Sequence, residues 1–424
     1  MIELPNAYLA RMRTQLKDSF DAYLAAMEQP ARSALRVNLL KIAPDALRIL
    51  FSEPLTPIPD LSDAFFVPDG FRPGLDPLHA AGLYYMQEPS AQMPARLPEI
   101  GPNMAVLDLC AAPGGKSTQL AARMQGSGVL VANEYVASRA SVLVGNLERL
   151  GVINAVVTNM DTHTLCKRLA ERFDVVLCDA PCAGEGMFRK DPHAIAEWSS
   201  EHVEACALRE RGILDDAALA VKPGGQLVYA TCSFSPVEDE QTAELFLKRH
   251  PDFSLVLSQK LYPHTFCGEG QYMALFVRCG ERVPSVFLPQ KADRVPALDA
   301  VSSELSLPNG TVTRLKDGRV LLLPALPFPW DGLRIVRAGL LLGEDKSKRF
   351  EPSHALALAA PHTPLLRTVP LEADDALRYR KGETLQIAAP KGWCAVTYEG
   401  FSLGLVKSDG NCLKNHYPKG LRLL

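Results

Sequence analysis

Two cysteines stand just past runs of apolar residues that read as buried strands. Cys182 follows "VVLCDAP", and Cys232 ends the run "QLVYATC". Asp179 lies three residues before Cys182. A single cysteine so placed is most often an inert buried thiol, since free cysteine is among the most buried residue types. Two, each at the end of a strand-like run and one beside an acid, suit nucleophilic catalysis. A thiol attacks as its thiolate. With an ordinary pKa of about 8.5, it needs nearby positive charge or helix N-terminal amides to ionise.

A second constellation lies upstream. "LDLCAAPGGKSTQLA", Leu107 to Ala121, reads as a strand, a turn of small residues and a helix. It is not a P-loop, which needs glycine five residues before the glycine of the GK pair; that position is Cys110. The GxGxxG dinucleotide pattern is missing as well. A nucleotide-like ligand is still expected. The small residues Ala111, Ala112, Gly114 and Gly115, with Pro113 among them, let a ligand approach the backbone. Glu134 ends the next strand-like run, where an acid can accept from both ribose hydroxyls. Asp161 opens the segment after the third strand and could accept from an adenine amino group. Without a pyrophosphate loop, S-adenosylmethionine fits this set better than NAD or ATP. Lys116 either meets a carboxylate or phosphate or is a solvated helix residue.

The two constellations together suit methylation of a weak carbon nucleophile. Carbon 5 of cytosine does not attack a methyl sulfonium unaided. A thiolate adding at carbon 6 turns the ring into an enamine and makes carbon 5 reactive. An acid near ring nitrogen 3 is also required, and Asp179 is placed for that. Afterwards the carbon-5 proton must leave and the thiol must be eliminated, a release that a second thiol could assist.

These residues need a scaffold. From about 104 to 280, strand-like runs ("MAVLDLC", "GVLVANE", "AVVTN", "FDVVLCD", "QLVYATCS", "YMALFVRC") alternate with helix-like segments such as 136–150 and 201–220. That alternation predicts an α/β fold with a parallel sheet covered on both faces. Ligands then bind at the carboxyl ends of the strands, where Asp108, Glu134, Asp161, Asp179 and Cys232 all fall. Residues 5–29 read as one amphipathic helix with Leu9, Met12, Leu16, Phe20, Tyr23 and Met27 on its buried stripe. Residues 45–80 are rich in proline and aspartate, with short strands between turns. Residues 281–300 read as a linker, "VTRLKDGRVLLLP" as strand-turn-strand, and 372–424 as a small barrel-like module.

The chain has 424 residues, which predicts more than one domain. Its start lacks the basic head and apolar block of a signal peptide, and no apolar run approaches a membrane span. The ten cysteines sit mostly inside regular runs with no CxxC pair, so a reduced cytosolic protein is expected. A net charge of −3 carries no overall nucleic-acid imprint. Charge is uneven, however: Lys407, Lys414, Lys419 and Arg422 face Asp409 alone near the C-terminus.

The motifs "DLCAAPGGKS", "CDAPCAGEGMFRKDP" and "YATCSFSPVEDE" resemble the Sun-type RNA (cytosine-5) methyltransferases. The resemblance runs through "LRVNLLK" (35–41), "YYMQEPSAQMPA" (84–95) and the tail, which is similar to the bacterial subgroup that modifies small-subunit ribosomal RNA, the RsmF type. It implies a Rossmann-like methyltransferase core at 96–282 behind an N-terminal α+β RNA-binding domain at 1–95. A linker and middle C-terminal domain at 283–370 and a PUA-like RNA-binding domain at 371–424 would follow. It makes Cys232 the nucleophile and Cys182 the residue that assists product release. It places S-adenosylmethionine on Ala111 to Ser117, Glu134, Asp161 and Asp179, with no metal. The implied partner is ribosomal RNA within the small subunit, met by a cytoplasmic monomer. Arg189 and Lys190, and more weakly Arg36, Asn38 and Lys41, are expected to meet the RNA backbone. One departure from the family pattern is "PCAG" where "PCSG" is commoner, which puts Ala183 beside Cys182. Transfer RNA as substrate, DNA cytosine methylation and a non-catalytic assembly factor are the competing readings. The intact "TC" cysteine argues against the last two.

Overall fold

In the computed structural model, residues 3–347, 349–361 and 364–423 are described. An eight-stranded mixed sheet forms the centre. Its strands are β1 (Ala105–Asp108), β2 (Val129–Asn133), β3 (Ala155–Thr158), β4 (Phe173–Asp179), β5 (Val221–Thr231), β6 (Phe253–Leu261), β7 (Gln271–Arg278) and β8 (Ile335–Ala338), in the order β6-β7-β5-β4-β1-β2-β3-β8. The first five are parallel neighbours; β7 pairs antiparallel with β5, β6 antiparallel with β7, and β8 antiparallel with β3. The central runs are Val- and Leu-rich and buried throughout, as strands covered on both faces must be. Chain order reverses between β1 and β4, which opens the crevice where α/β sheets hold ligands.

The helix Gly115–Met124 follows β1, and Gly114 at its entry takes φ 111°, a conformation that favours glycine. A Cβ at Gly114 would also come within 3.1 Å of Leu143 Cδ1 in the next helix, Ala137–Arg149. The long helix Ser200–Ala220 starts on Ser199, whose side chain accepts from the His202 amide. Val203, Ala207, Glu210, Leu214 and Ala217 make its buried face.

The single N-terminal helix expected from periodicity is two helices, Asn6–Leu16 and Phe20–Glu28, joined by a 3₁₀ turn. Lys17 at φ 49° ends the first of them. The kink lets Tyr8, Met12, Phe20, Tyr23 and Met27 close on Phe188 and Phe234, which belong to the two cysteine loops. Leu9 and Leu16 stay only half-buried.

Two further features escape the linear pattern. Strand β8 comes from beyond the linker and pairs with β3, completing the sheet edge next to Asn159. The four-stranded sheet of residues 368–415 packs on the N-terminal four-stranded sheet of residues 34–86, so Leu35, Val37, Tyr84, Val369, Tyr379 and Val396 share one core. Among the described residues no helix is long and apolar enough to cross a membrane.

Candidate active site

Strand ends bring the acids together. Asp108 closes β1 and is buried, and its Oδ2 accepts from the Ser117 hydroxyl at 2.6 Å. Burial pushes its carboxyl up to about 7, and its Oδ1 has no hydrogen-bond partner. Glu134 follows β2 and is also buried, with Oε1 accepting the Val136 amide at 2.8 Å and Arg139 at 3.6 Å from Oε2. Asn159 holds this corner by donating to the carbonyls of Glu134 and Tyr135, each at 2.7 Å. Asp161 is exposed. It caps the helix Thr162–Arg168 by accepting the Thr164 amide at 2.8 Å, which holds its carboxylate below the ordinary range.

S-adenosylmethionine is the cofactor, and this set suits it. The unpartnered Asp108 oxygen, the Glu134 carboxylate and the small-residue turn Ala111 to Gly115 leave acceptors and backbone open toward the crevice. Ser117 donates its hydroxyl to Asp108, and Lys116 pairs with Asp179.

Lys116 reaches across the switch point. Its Nζ lies 2.7 Å from Asp179 Oδ2 at the end of β4. Burial pulls the ammonium down, but Asp179, and after it Cys232 and Asp108, raise it more, and the net shift is upward. Gln271 donates to the other Asp179 oxygen at 3.3 Å. Thus the Lys116 ammonium lies among Asp179, Asp108 and the Cys232 thiol.

The cysteines meet. Cys182 Sγ and Cys232 Sγ are 3.2 Å apart. The contact with Cys232, then burial, then the charges of Glu238 and Glu210 push the Cys182 thiol well up. Cys182 is therefore held toward its protonated form. Backbone joins the two loops, with the Gly186 amide donating to the Cys232 carbonyl at 2.7 Å. A Cβ at Gly186 would come within 2.8 Å of the Gly270 carbonyl, so this close approach requires glycine.

Beneath the loops lie acids that were not singled out in the sequence. Glu185 is fully buried and accepts from Arg11 at 2.6 Å, the Trp198 indole at 2.7 Å and the Phe234 amide at 3.0 Å. Asp239 accepts from the Thr231 hydroxyl at 2.6 Å and pairs with Lys260 at 2.8 Å. Glu210 is pushed up to about 10 by burial and by Glu238 and Asp239. Asp239 lies in an unusual run of acids, "VEDE", directly after a cysteine motif, whereas Glu185 and Glu210 carry no such signal.

The expected RNA-contacting residues need correction. Arg189 is committed to Glu269 at 2.7 Å and to the carbonyls of Ala26 and Gly268. Lys190 also faces Glu269, at 3.8 Å. Arg36 is buried and bonds Gln87, the Gly115 carbonyl and Thr118. Asn38 ties Gly82 to Leu150, and Lys41 donates to the Ala81 and Arg149 carbonyls, with burial lowering it to about 7. Arg36, Asn38, Lys41 and Arg189 tie the N-terminal domain to the core, while Lys190 meets Glu269 within the core and stays exposed. An arginine or lysine in a turn looks the same in sequence whether its partner is a phosphate or a carbonyl. The basic tail differs: Lys407, Lys414 and Lys419 are exposed.

Comparison with known proteins agrees along the chain. A family described as 16S rRNA methyltransferase RsmB/F matches residues 98–277. Residues 4–89, 300–359 and 366–423 match the N-terminal, first C-terminal and PUA domains of RsmF. The chain is 32% identical to ribosomal RNA small subunit methyltransferase F of Shewanella amazonensis, over 99% of its own length and 98% of the relative's. It is 33% identical to the protein of that name from Klebsiella pneumoniae, over 99% and 97%. Among solved structures, a methyltransferase homologue from Pyrococcus horikoshii aligns with a TM-score of 0.55 at 25% identity, covering 65% of this chain and all of that one. NSun6 from the same organism, solved with SFG, shares the fold at a TM-score of 0.58 and 19% identity, over 65% of this chain and 99% of that one. With full-length relatives above 30% identity and a Rossmann-like core between an N-terminal α+β domain and small C-terminal domains, the chain belongs to the RsmF branch of the RsmB/F family of 16S rRNA methyltransferases.

Proposed function

We propose that this protein methylates carbon 5 of a cytosine in 16S ribosomal RNA, with Cys232 as nucleophile at carbon 6 and Cys182 as the residue that assists release. What carries the reading is the meeting of Cys182 and Cys232 at 3.2 Å beside the Lys116–Asp179 pair, at the carboxyl ends of the parallel strands. Lys116 places a positive charge near Cys232. Asp179 meets the cytosine at nitrogen 3 and stabilises the ring as the thiolate adds. S-adenosylmethionine supplies an electrophilic methyl group, and Glu134, the turn Ala111 to Gly115 and Asp161 hold it. Cys182, 3.2 Å from Cys232, is near enough to assist as the carbon-5 proton leaves and the bond from Cys232 to carbon 6 breaks. The target base leaves its stack to reach the sulfur.

The N-terminal domain and the PUA domain hold the RNA. Lys407 and Lys414 face each other across two strands, and Lys407 lies 5.4 Å from the Trp393 ring. Like charges directly opposite destabilise a sheet, so a row of two lysines suits a polyanion. The protein acts as a monomer in the cytoplasm, where small-subunit RNA is assembled.

Bisulfite sequencing of ribosomal and transfer RNA from a deletion strain tests the substrate. A 16S cytosine should lose protection and regain it with the wild-type gene but not with Cys232→Ala. Loss confined to transfer RNA would overturn the ribosomal assignment.

A further inference from the structure

One carboxylate reaches both cysteine loops. Glu238 is fully buried. Its Oε1 accepts the amide of Ala183, the residue after Cys182, at 2.7 Å. Its Oε2 accepts the hydroxyl of Ser233, the residue after Cys232. The same Ser233 oxygen accepts the Ser235 amide at 3.0 Å, which fixes the turn that follows Cys232. Glu238 is itself held from below, because Tyr229 donates to its carbonyl at 2.6 Å and to Glu210 at 3.0 Å. The backbone bond from Gly186 to the Cys232 carbonyl ties the loops on one side of the sulfurs. Without Glu238, the Ala183 side of the Cys182 loop would have no tie to the Cys232 loop among these contacts.

We propose that Glu238 is a positioning residue for the cysteine pair: by bonding the residue after each cysteine, it sets the sulfur-to-sulfur contact from which Cys182 acts on the adduct made by Cys232. This rests on the roles given to the two cysteines above. The geometry carries a specific consequence. Losing the tie leaves Cys232 free to attack, since its strand and its backbone bond to Gly186 remain, but moves Cys182 out of reach, so release suffers more than attack.

The test uses the full chain in two arms. In the first, without RNA or cofactor, diamide oxidises the two thiols to a disulfide. It accepts the two electrons and two protons as its diazene becomes a hydrazine, and peptide mass spectrometry counts the Cys182–Cys232 link. Glu238→Ala should form that link roughly tenfold more slowly or worse, as expected for a displacement near 1 Å. Glu238→Gln should stay within about threefold of wild type, because its amide can accept from Ala183 and donate to Ser233. Ser233→Ala cuts one arm only and should fall between. It decides the matter if Glu238→Ala does not fold. In the second arm, with 16S RNA and S-adenosylmethionine, Glu238→Ala should keep first-turnover methylation within about threefold and accumulate covalent protein–RNA species on denaturing gels. Wild-type rates of linking and release in Glu238→Ala, or in Ser233→Ala should the former misfold, would overturn the proposal. If linking responds as stated while Cys182→Ala gathers no adduct, the assigned cysteine roles fail and the tie by Glu238 stands.

Discussion

Cys182 and Cys232, 50 residues apart in the chain, bring their sulfurs to 3.2 Å. Their surroundings are opposite in sign. Cys232 lies near the Lys116 ammonium, whereas Cys182 faces Glu238. Contact with Cys232 and burial push the Cys182 thiol well up. Cys232→Ala should therefore abolish methyl transfer and give no adduct. Cys182→Ala should still attack and methylate, then release slowly and leave a protein–RNA species on denaturing gels. The reverse pattern would exchange the two roles.

Glu134 should carry much of the cofactor affinity. Its buried carboxylate is positioned by the Val136 amide. Glu134→Ala removes a charged hydrogen-bond acceptor, a loss of roughly 1.5–3 kcal/mol. Calorimetry should show S-adenosylmethionine binding weakened by about 10- to 150-fold. Unchanged affinity would remove Glu134 from the site.

The basic edge of the C-terminal domain should bind RNA phosphates. Truncation at residue 372 is a poor test, because Tyr379, Val396 and Leu403 lie in the core shared with Leu35 and Tyr84. Lys407→Ala with Lys414→Ala leaves that core intact. The slope of log affinity against log salt should shrink by roughly 1.4–1.8 units for two lost phosphate contacts. Thermal stability should hold or rise, since two like charges no longer face each other. An unchanged salt slope would mean that this edge does not touch RNA.

Glu210 should make stability depend on pH. Burial and neighbouring acids raise its carboxyl from 4.5 to about 10, so the fold favours the neutral form. Charging costs nothing extra below pH 4.5 and progressively more above it, until the folded group itself ionises near pH 10. Wild type thus loses stability as pH rises through that window, by at most about 1.4 kcal/mol per pH unit for this proton. Glu210→Gln keeps a donor toward Glu238 and an acceptor for Tyr229 but cannot ionise. Its melting temperature relative to wild type should climb between pH 5 and 9. A gap independent of pH would show that Glu210 is charged in the fold.

The sequence by itself determined the sheet strands β1 to β5 and β7, the helices between them, and the acids at the strand ends. Each of these is written locally: a Val- and Leu-rich run, a turn of small residues, a carboxylate where the apolar run stops. It also named both cysteines, because strand ends in a parallel sheet converge on one edge. Only the tertiary structure decided which charged residues were free to meet RNA. Arg36, Lys41 and Arg189 point at backbone carbonyls and Glu269, partners supplied by distant segments. Only it showed that β8 returns to the catalytic sheet, since a four-residue strand is specified by the edge it pairs with rather than by its own pattern. And only it placed Glu238 under both cysteine loops. A buried carboxylate is tolerable solely where donors converge on it, and those donors, Ala183 and Ser233, come together only when β4 and β5 lie side by side.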